Sequence, residues 1–311
     1  MSHVESFRPE HLPQVRALIN GHLNAAVPGW SLPEAFIASR LRREPEEYVV
    51  DPWVTRRATL CAVERDRVVA AAHLRCYGGH ATVGDAYRAV GEVAWLVAWP
   101  AAEQAGDELL AAAGEQLAAW EVRARWAATG LPVPVLSGVP DAWPHIAAAL
   151  AQAGFRPTPD HAEAVYGGDL AAVPAPPAPP LAGLRLHRTV GDTTVRFAGV
   201  LDDRELGVCE CDLDLTLGGA RPALLRWAEL ANLQVEAGWR GRGIGGWLVG
   251  HAAAWLRVGG YERIVLTTSI DDEAAGSGRF YRRLGLEVLT RLERAWGDDG
   301  DDAAGGRAAR P

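Results

Sequence analysis

The feature that most constrains this chain is the stretch at residues 233–246, LQVEAGWRGRGIGG. The apolar run at 230–235 reads as a buried strand. After it, Ile244, Leu248, Ala252, Trp255 and Leu256 recur at helical spacing. Gly259-Gly260 then stops that helix. The stretch is therefore a strand, a glycine-rich turn and a helix N-terminus. The first N–H groups of a helix have no partner within it, and the helix dipole places partial positive charge at the same end. Glycines at 241, 243 and 245 remove the Cβ atoms that would hold an anion away from those N–H groups. Arg240 and Arg242 add cationic donors. The arrangement predicts a pyrophosphate site made of Arg240, Gly241, Arg242, Gly243, Ile244, Gly245 and Gly246.

Three loop patterns bind pyrophosphates, and the surroundings choose among them. Gly241, Gly243 and Gly246 satisfy G-x-G-x-x-G, but a dinucleotide fingerprint belongs in a βαβ unit. Here the turn follows a run of hairpin-like strands, late in its domain. A P-loop needs Lys followed by Ser or Thr, and the chain has neither pair. What remains is R-x-x-G-x-G from Arg240 to Gly245. It resembles the acetyl-coenzyme A pyrophosphate loop of the GNAT N-acetyltransferase superfamily. A second stretch agrees: Tyr281-Arg282-Arg283-Leu284-Gly285-Leu286 is similar to the family's Y-x-x-x-G-[FL] signature.

The resemblance implies an acyl-CoA-dependent N-acyltransferase, with acetyl-CoA as cosubstrate and no metal. The acceptor it implies is a primary amine, on a small molecule, a peptide N-terminus or a lysine, attacking the thioester directly. By the family's spacing, backbone groups of Leu233, Gln234 and Val235 would hold the pantetheine arm and the thioester oxygen. A strand bulge is expected there, since polar Asn232 and Gln234 interrupt an apolar run. Tyr281 would protonate the leaving thiolate. Seven residues earlier, where the family often has asparagine, stands Ala274. Glu229, read as the start of the strand, would be the general base, usually through water. Glu210, Asp212 and Asp214, on one face of a neighbouring strand, are further candidates for a base or for attracting a cationic amine. His187 and His251 are weaker ones. The alternative from another class is a non-catalytic acyl-CoA-binding module, which has no need of an acid beside the sulfur.

The chain also reads as a repeat. Residues 171–180, AAVPAPPAPP, form a stiff, extended linker. The expected domains are 1–170, the linker 171–180, a catalytic domain 181–297 and a disordered tail 298–311. Aligning Gly106 with Gly245 also aligns Leu109 with Leu248 and Leu117 with Leu256. Leu150 and Gly154 fall against Tyr281 and Gly285. Ala101, Ala102 and Gln104 replace Arg240, Gly241 and Gly243, and Pro100 removes a nearby N–H. The expected fold class is thus α/β with mixed sheets: two GNAT-like domains in tandem, the first degenerate and the second carrying the acyl-CoA site. That layout is similar to that of mycothiol synthases. Helices are expected at 10–24, 32–43 and, as one long element, 100–128, with a strand at 133–139. No helical pair precedes the hairpins of the second copy, so the first domain is expected to lend part of the acceptor pocket.

Composition narrows the partners. The 311 residues are 49% hydrophobic and 23% charged, enough for packed cores. Net charge is −8, which opposes non-specific binding to nucleic acid. No apolar run reaches the roughly 18 residues that a membrane span needs. Residues 1–10 are polar, unlike a signal peptide, so a cytoplasmic location is expected. Cys61, Cys76, Cys209 and Cys211 form no C-x-x-C pair, and the last two read as buried thiols on one strand. Nothing in the sequence fixes an oligomeric state.

Overall fold

The structure, a computed structural model, describes residues 2–158 and 161–298. The expected disordered tail lies outside the described residues, apart from Asp298. The chain forms two compact units. Among the described residues, unit 1 takes those up to 163 and those from 290 to 298, and unit 2 takes 164–289. The units therefore part at Glu163 and Ala164, before the proline-rich stretch.

In chain order the first elements are β1 (His3–Ser6), α1 (Leu12–Ala26), α2 (Glu34–Arg40), β2 (Val54–Glu64), β3 (Arg67–Tyr77) and β4 (Val90–Ala98). Then come α3 (Glu103–Ala119), β5 (Ala124–Ala127), β6 (Val139–Pro140), α4 (Pro144–Gln152) and β7 (Phe155–Pro157). Next are β8 (Glu163–Asp169), β9 (Arg185–Val190), β10 (Thr194–Leu201), β11 (Arg204–Asp212), β12 (Trp227–Val235) and α5 (Ile244–Val258). The chain closes with β13 (Arg263–Ser269), α6 (Ile270–Asp272), α7 (Gly278–Arg283), β14 (Glu287–Glu293) and β15 (Trp296–Asp298).

Unit 1 is built on one mixed sheet in the order β1-β2-β3-β4-β5-β15-β7. The long helix expected at 100–128 ends instead at Ala119. Glu121 turns left-handed at φ 57°, and the residues beyond it form β5, parallel to β4. Alanine-rich composition hid that turn. The strand expected at 133–139 is reduced to Val139–Pro140. Leu117 of α3 packs where a Cβ on Gly91 would stand, so α3 covers that face of β4. The other face carries Glu92, with Arg75 opposite it in register. Glu92 accepts a hydrogen bond from the Tyr77 hydroxyl at 2.6 Å, and Arg75 Nε stands 2.9 Å from it. Both Arg75 and Glu92 are buried.

Unit 2 repeats the plan, in the order β14-β8-β13-β12-β11-β10-β9. Its core joins Val195, Phe197, Cys209, Cys211, Ala228 and Leu230 of the sheet to Trp247, Leu248, Ala252 and Leu256 of α5. Alternation then turns Glu210 and Asp212 to the opposite face. Five of the six buried positions of α3, 105, 109, 110, 113 and 117, fall on buried positions 244, 248, 249, 252 and 256 of α5, and the sixth, Gly106, falls on half-buried Gly245. The repeat is thus present in packing where it is faint in sequence.

Two strands cross the order of the repeat. β15 returns from the end of the chain to lie between β5 and β7, where Trp296 pairs with both Ala127 and Pro157. β8, written before the proline-rich stretch, lies between β14 and β13. Asp298, the first residue of the expected disordered tail, is therefore the last residue of a strand. The proline-rich stretch is bound along α5. Arg257 donates to the carbonyls of Leu170 and Val173 at 2.7 and 3.2 Å. A Cβ on Gly250 would stand 2.8 Å from Pro176, and one on Gly243 would stand 3.3 Å from Pro180.

Candidate functional site

The glycine turn forms as its sequence requires. After β12, Glu236 N–H bonds to Leu206 O at 2.9 Å and a short 3-10 turn covers Ala237–Trp239. Gly241 and Gly243 adopt φ of 74° and 86°, left-handed values that glycine reaches without Cβ strain. Trp247 N–H bonds to Gly243 O at 3.0 Å and is the first such bond of α5. The N–H groups of Ile244, Gly245 and Gly246 stand ahead of it, free of the helix ladder. Arg240 and Arg242 are exposed. Arg240 Nε donates to Val235 O at 3.0 Å, and the Arg242 guanidinium lies 4.8 Å from the centre of the Trp239 ring. Cβ atoms added at Gly241 and Gly246 would meet nothing within 4 Å. The turn is therefore an open, cationic, N–H-lined concavity, and it fits a pyrophosphate.

Gly245 marks where three elements converge. A Cβ there would lie 3.6 Å from Phe280 and 3.8 Å from Val235. The end of β12, the first turn of α5 and α7 therefore meet at one point. The next residue on α7 is Tyr281, 8% exposed, its ring centre 5.4 Å from that of Tyr166 and 5.3 Å from that of Phe280. The Tyr281 hydroxyl makes no hydrogen bond to another described residue. Burial, with Cys209 nearby, pushes it up to about 12. Tyr166 is itself tied down, its hydroxyl donating to Glu273 Oε1 at 2.6 Å. Ala274 falls in the π-helical turn Glu273–Ser277, which Gly276 opens at φ 140°.

β12 leaves its ladder with β13 early. The parallel pairing runs only from Trp227 and Arg263 to Glu229 and Val265. On the β11 side the register slips between Glu210 and Cys211, leaving Ala231 unpaired. The bulge expected near Asn232 and Gln234 thus sits at Ala231, and Asn232 instead donates to Glu210 at 3.0 Å. Leu233 and Val235 are half-buried against the core, while Gln234 is exposed.

Glu229 is the third residue of β12, inside the strand rather than at its start. Its side chain is half-buried and makes no hydrogen bond or ion pair with another described residue. Burial first, then the Asp212 charge, pushes it up to about 7, and Arg221 opposes that rise. Of the three acidic residues assigned to one strand, Asp212 ends β11 and Asp214 lies beyond it, accepting bonds from Thr216 Oγ1 and Gly218 N. Glu210 pairs with Arg196. His187 is exposed on β9, and the ring of His251 rests against Trp247. Sequence reasoning missed the pairing of Asp212 with Glu229 and the placing of Tyr166 beside Tyr281. Both depend on register, for which the chain offered no local signal. Among the described residues, no group of three or more His, Cys, Asp or Glu is placed to hold a metal, and no helix is long and apolar enough to cross a membrane.

Residues 189–286 match the model of the acetyltransferase (GNAT) family. No curated protein matches the chain. Among solved structures, it resembles a tandem GNAT protein from the clavulanic acid biosynthesis pathway, at 17% identity and a TM-score of 0.59, over 99% of this chain and 100% of that one. A GCN5-related N-acetyltransferase from Sphaerobacter thermophilus is similar at 14% identity and a TM-score of 0.60, over 96% and 95%. A glucosamine N-acetyltransferase region of a fungal multi-domain β-N-acetylglucosaminidase is similar at 17% identity and 0.59, over 96% of this chain and 38% of that one. Residues 189–286 belong to the GNAT acetyltransferase family, and the chain as a whole has the fold of a tandem GNAT protein.

Proposed function

We propose that unit 2 transfers an acetyl group from acetyl-CoA to a primary amine by direct attack. The GNAT family generally uses acetyl-CoA, and the residues present suit it. The observation that carries the reading is the parting of β12 from β13 beyond Glu229, beside the glycine turn. It leaves one edge of residues 230–235 free for an extended arm, with an anion site at its end. Arg240, Gly241, Arg242, Gly243, Ile244, Gly245 and Gly246 would hold the pyrophosphate. Backbone groups of Leu233, Gln234 and Val235 would orient the pantetheine arm and thioester, which suits the outward-turned Gln234 side chain.

Glu229 takes the proton of the attacking amine, directly or through water. A carboxylate that titrates near 7 is matched to that task at neutral pH. The amine nitrogen bonds to the thioester carbon as the carbon–sulfur bond breaks, and the departing sulfur takes the Tyr281 proton. A phenol pushed up to about 12 stays protonated until that step. Acceptors of this class include small amines, peptide N-termini and lysine side chains. The test is a panel of such amines with acetyl-CoA, followed by free-thiol release. Turnover of at least one amine, lost in Tyr281→Phe and Glu229→Gln, is the expected result. Acetyl-CoA binding without turnover of any amine would favour a binding module instead.

A further inference from the structure

The two units carry the same strand pair with different charges. In unit 2, Asp212 stands opposite Glu229 in antiparallel register, and Ala231 bulges two residues later. In unit 1, Arg75 stands opposite Glu92, and Ala94 is the unpaired residue two positions on. Residues paired across strands share a face, and their side chains interact. Glu92 is therefore held by a cation, with the Tyr77 hydroxyl beside it. Glu229 at the same place faces an anion. Asp212 is fixed there, because its Oδ1 accepts the Asp214 N–H at 3.0 Å.

We propose that Asp212 is a positioning residue for Glu229: its charge opposes ionisation of Glu229 and so sets the pH above which Glu229 accepts the acceptor's proton. The proposal rests on the catalytic reading of Glu229 given above. Among the described residues, the surroundings leave Asp212 as the near anion. From β13, apolar Val265 stands beside Glu229. From the connection after β11 comes Arg221, which acts in the opposite sense. Glu210 is paired with Arg196 and Asn232, and Asp214 with Thr216 and Gly218. The Tyr261 hydroxyl donates to Leu213 O.

The experiment is a carbon-13 NMR titration of glutamate carboxyls in the full chain, with the Glu229 signal assigned by its loss in Glu229→Gln. Asp212→Asn keeps the shape and the bond to Asp214, and removes the charge. It should lower the Glu229 midpoint by about one pH unit, the effect of one nearby charge. Asp212→Ser should do the same with a smaller side chain. Asp212→Arg, which copies unit 1, should lower it further. An unchanged midpoint in folded Asp212→Asn and Asp212→Ser would overturn the proposal. The catalytic reading fails separately, if Glu229→Gln turns over amines at the wild-type rate while the midpoint still moves in Asp212→Asn.

Discussion

Units 1 and 2 place a glutamate at the same point of the same strand, and its surroundings decide what it does. Glu92 is buried with Arg75 and Tyr77, so its negative charge is matched. Glu229 is half-buried without such a partner, and it titrates near 7. The turn that follows differs in the same direction. Unit 2 uses left-handed glycines at 241 and 243, whereas residues 99–105 of unit 1 contain no left-handed residue. Tyr281 and Leu150 complete the contrast: a phenol with an unengaged hydroxyl against a fully buried leucine. One scaffold thus stabilises itself at a position where the other keeps a charge available. The two units share the apolar positions of α3 and α5 and differ at these polar and glycine positions.

The largest effect should come from the position where the two units differ by one hydroxyl-bearing ring. Tyr281→Phe keeps the packing and removes the acid. Turnover should fall about 10²- to 10⁴-fold, with acetyl-CoA binding little changed. Steady-state kinetics beside calorimetric binding check this, and wild-type turnover would take Tyr281 out of the reaction.

The matched glutamates should respond to one substitution with opposite signs. Glu92→Gln removes one of the two carboxylates paired with buried Arg75 and leaves Glu44 at 2.9 Å, so it should cost about 1–3 kcal/mol of stability. Glu229→Gln should do the reverse. A carboxyl raised in the folded state is protonated there at little cost below its unfolded value. Stability is therefore lost as pH rises from about 4.5 to about 7, and the loss is complete above that. Removing the ionisable group should raise stability at pH 8 by up to about 3 kcal/mol. Denaturant unfolding at pH 5 and pH 8 tests both. Equal and opposite pH trends are not expected: only the Glu229 variant should gain relative to wild type on moving to pH 8.

The glycines allow a finer test of the turn. Gly243→Ala strains a left-handed backbone and presses on Pro180, so it confounds folding with binding. Gly246 is free of both problems. Gly246→Val should leave the fold intact and weaken acetyl-CoA binding by about tenfold or more, since its side chain fills the space before the free N–H groups. Gly245→Ala, with ordinary contacts at 3.6 and 3.8 Å, should weaken it less.

Much of this contrast was legible in the sequence. R-x-x-G-x-G and Y-x-x-x-G-[FL] are local patterns, and local patterns survive without knowledge of the fold. The turn at 240–246 and Tyr281 on its helix stand where those patterns put them. The repeat could be read through the helix spacings of α3 and α5. Long-range pairing could not. The bulge falls at Ala231 rather than beside Gln234, because the register with β11 fixes it, and nothing in LANLQV marks alanine. β5 was absorbed into a long alanine-rich helix. β8 and β15 were missed as partners of distant strands, since a strand's neighbour is set by topology and not by its own residues. Asp212 was visible as an acid but not as the residue facing Glu229.

The function proposed above assigns one acyl-CoA site to unit 2 and none to unit 1. Native mass spectrometry of the full chain with excess acetyl-CoA tests it most directly, run on wild type and on Gly246→Val. The prediction is one acetyl-CoA per wild-type chain, lost or strongly weakened in Gly246→Val. Two tightly bound molecules per chain, or one that survives Gly246→Val undiminished, would contradict it.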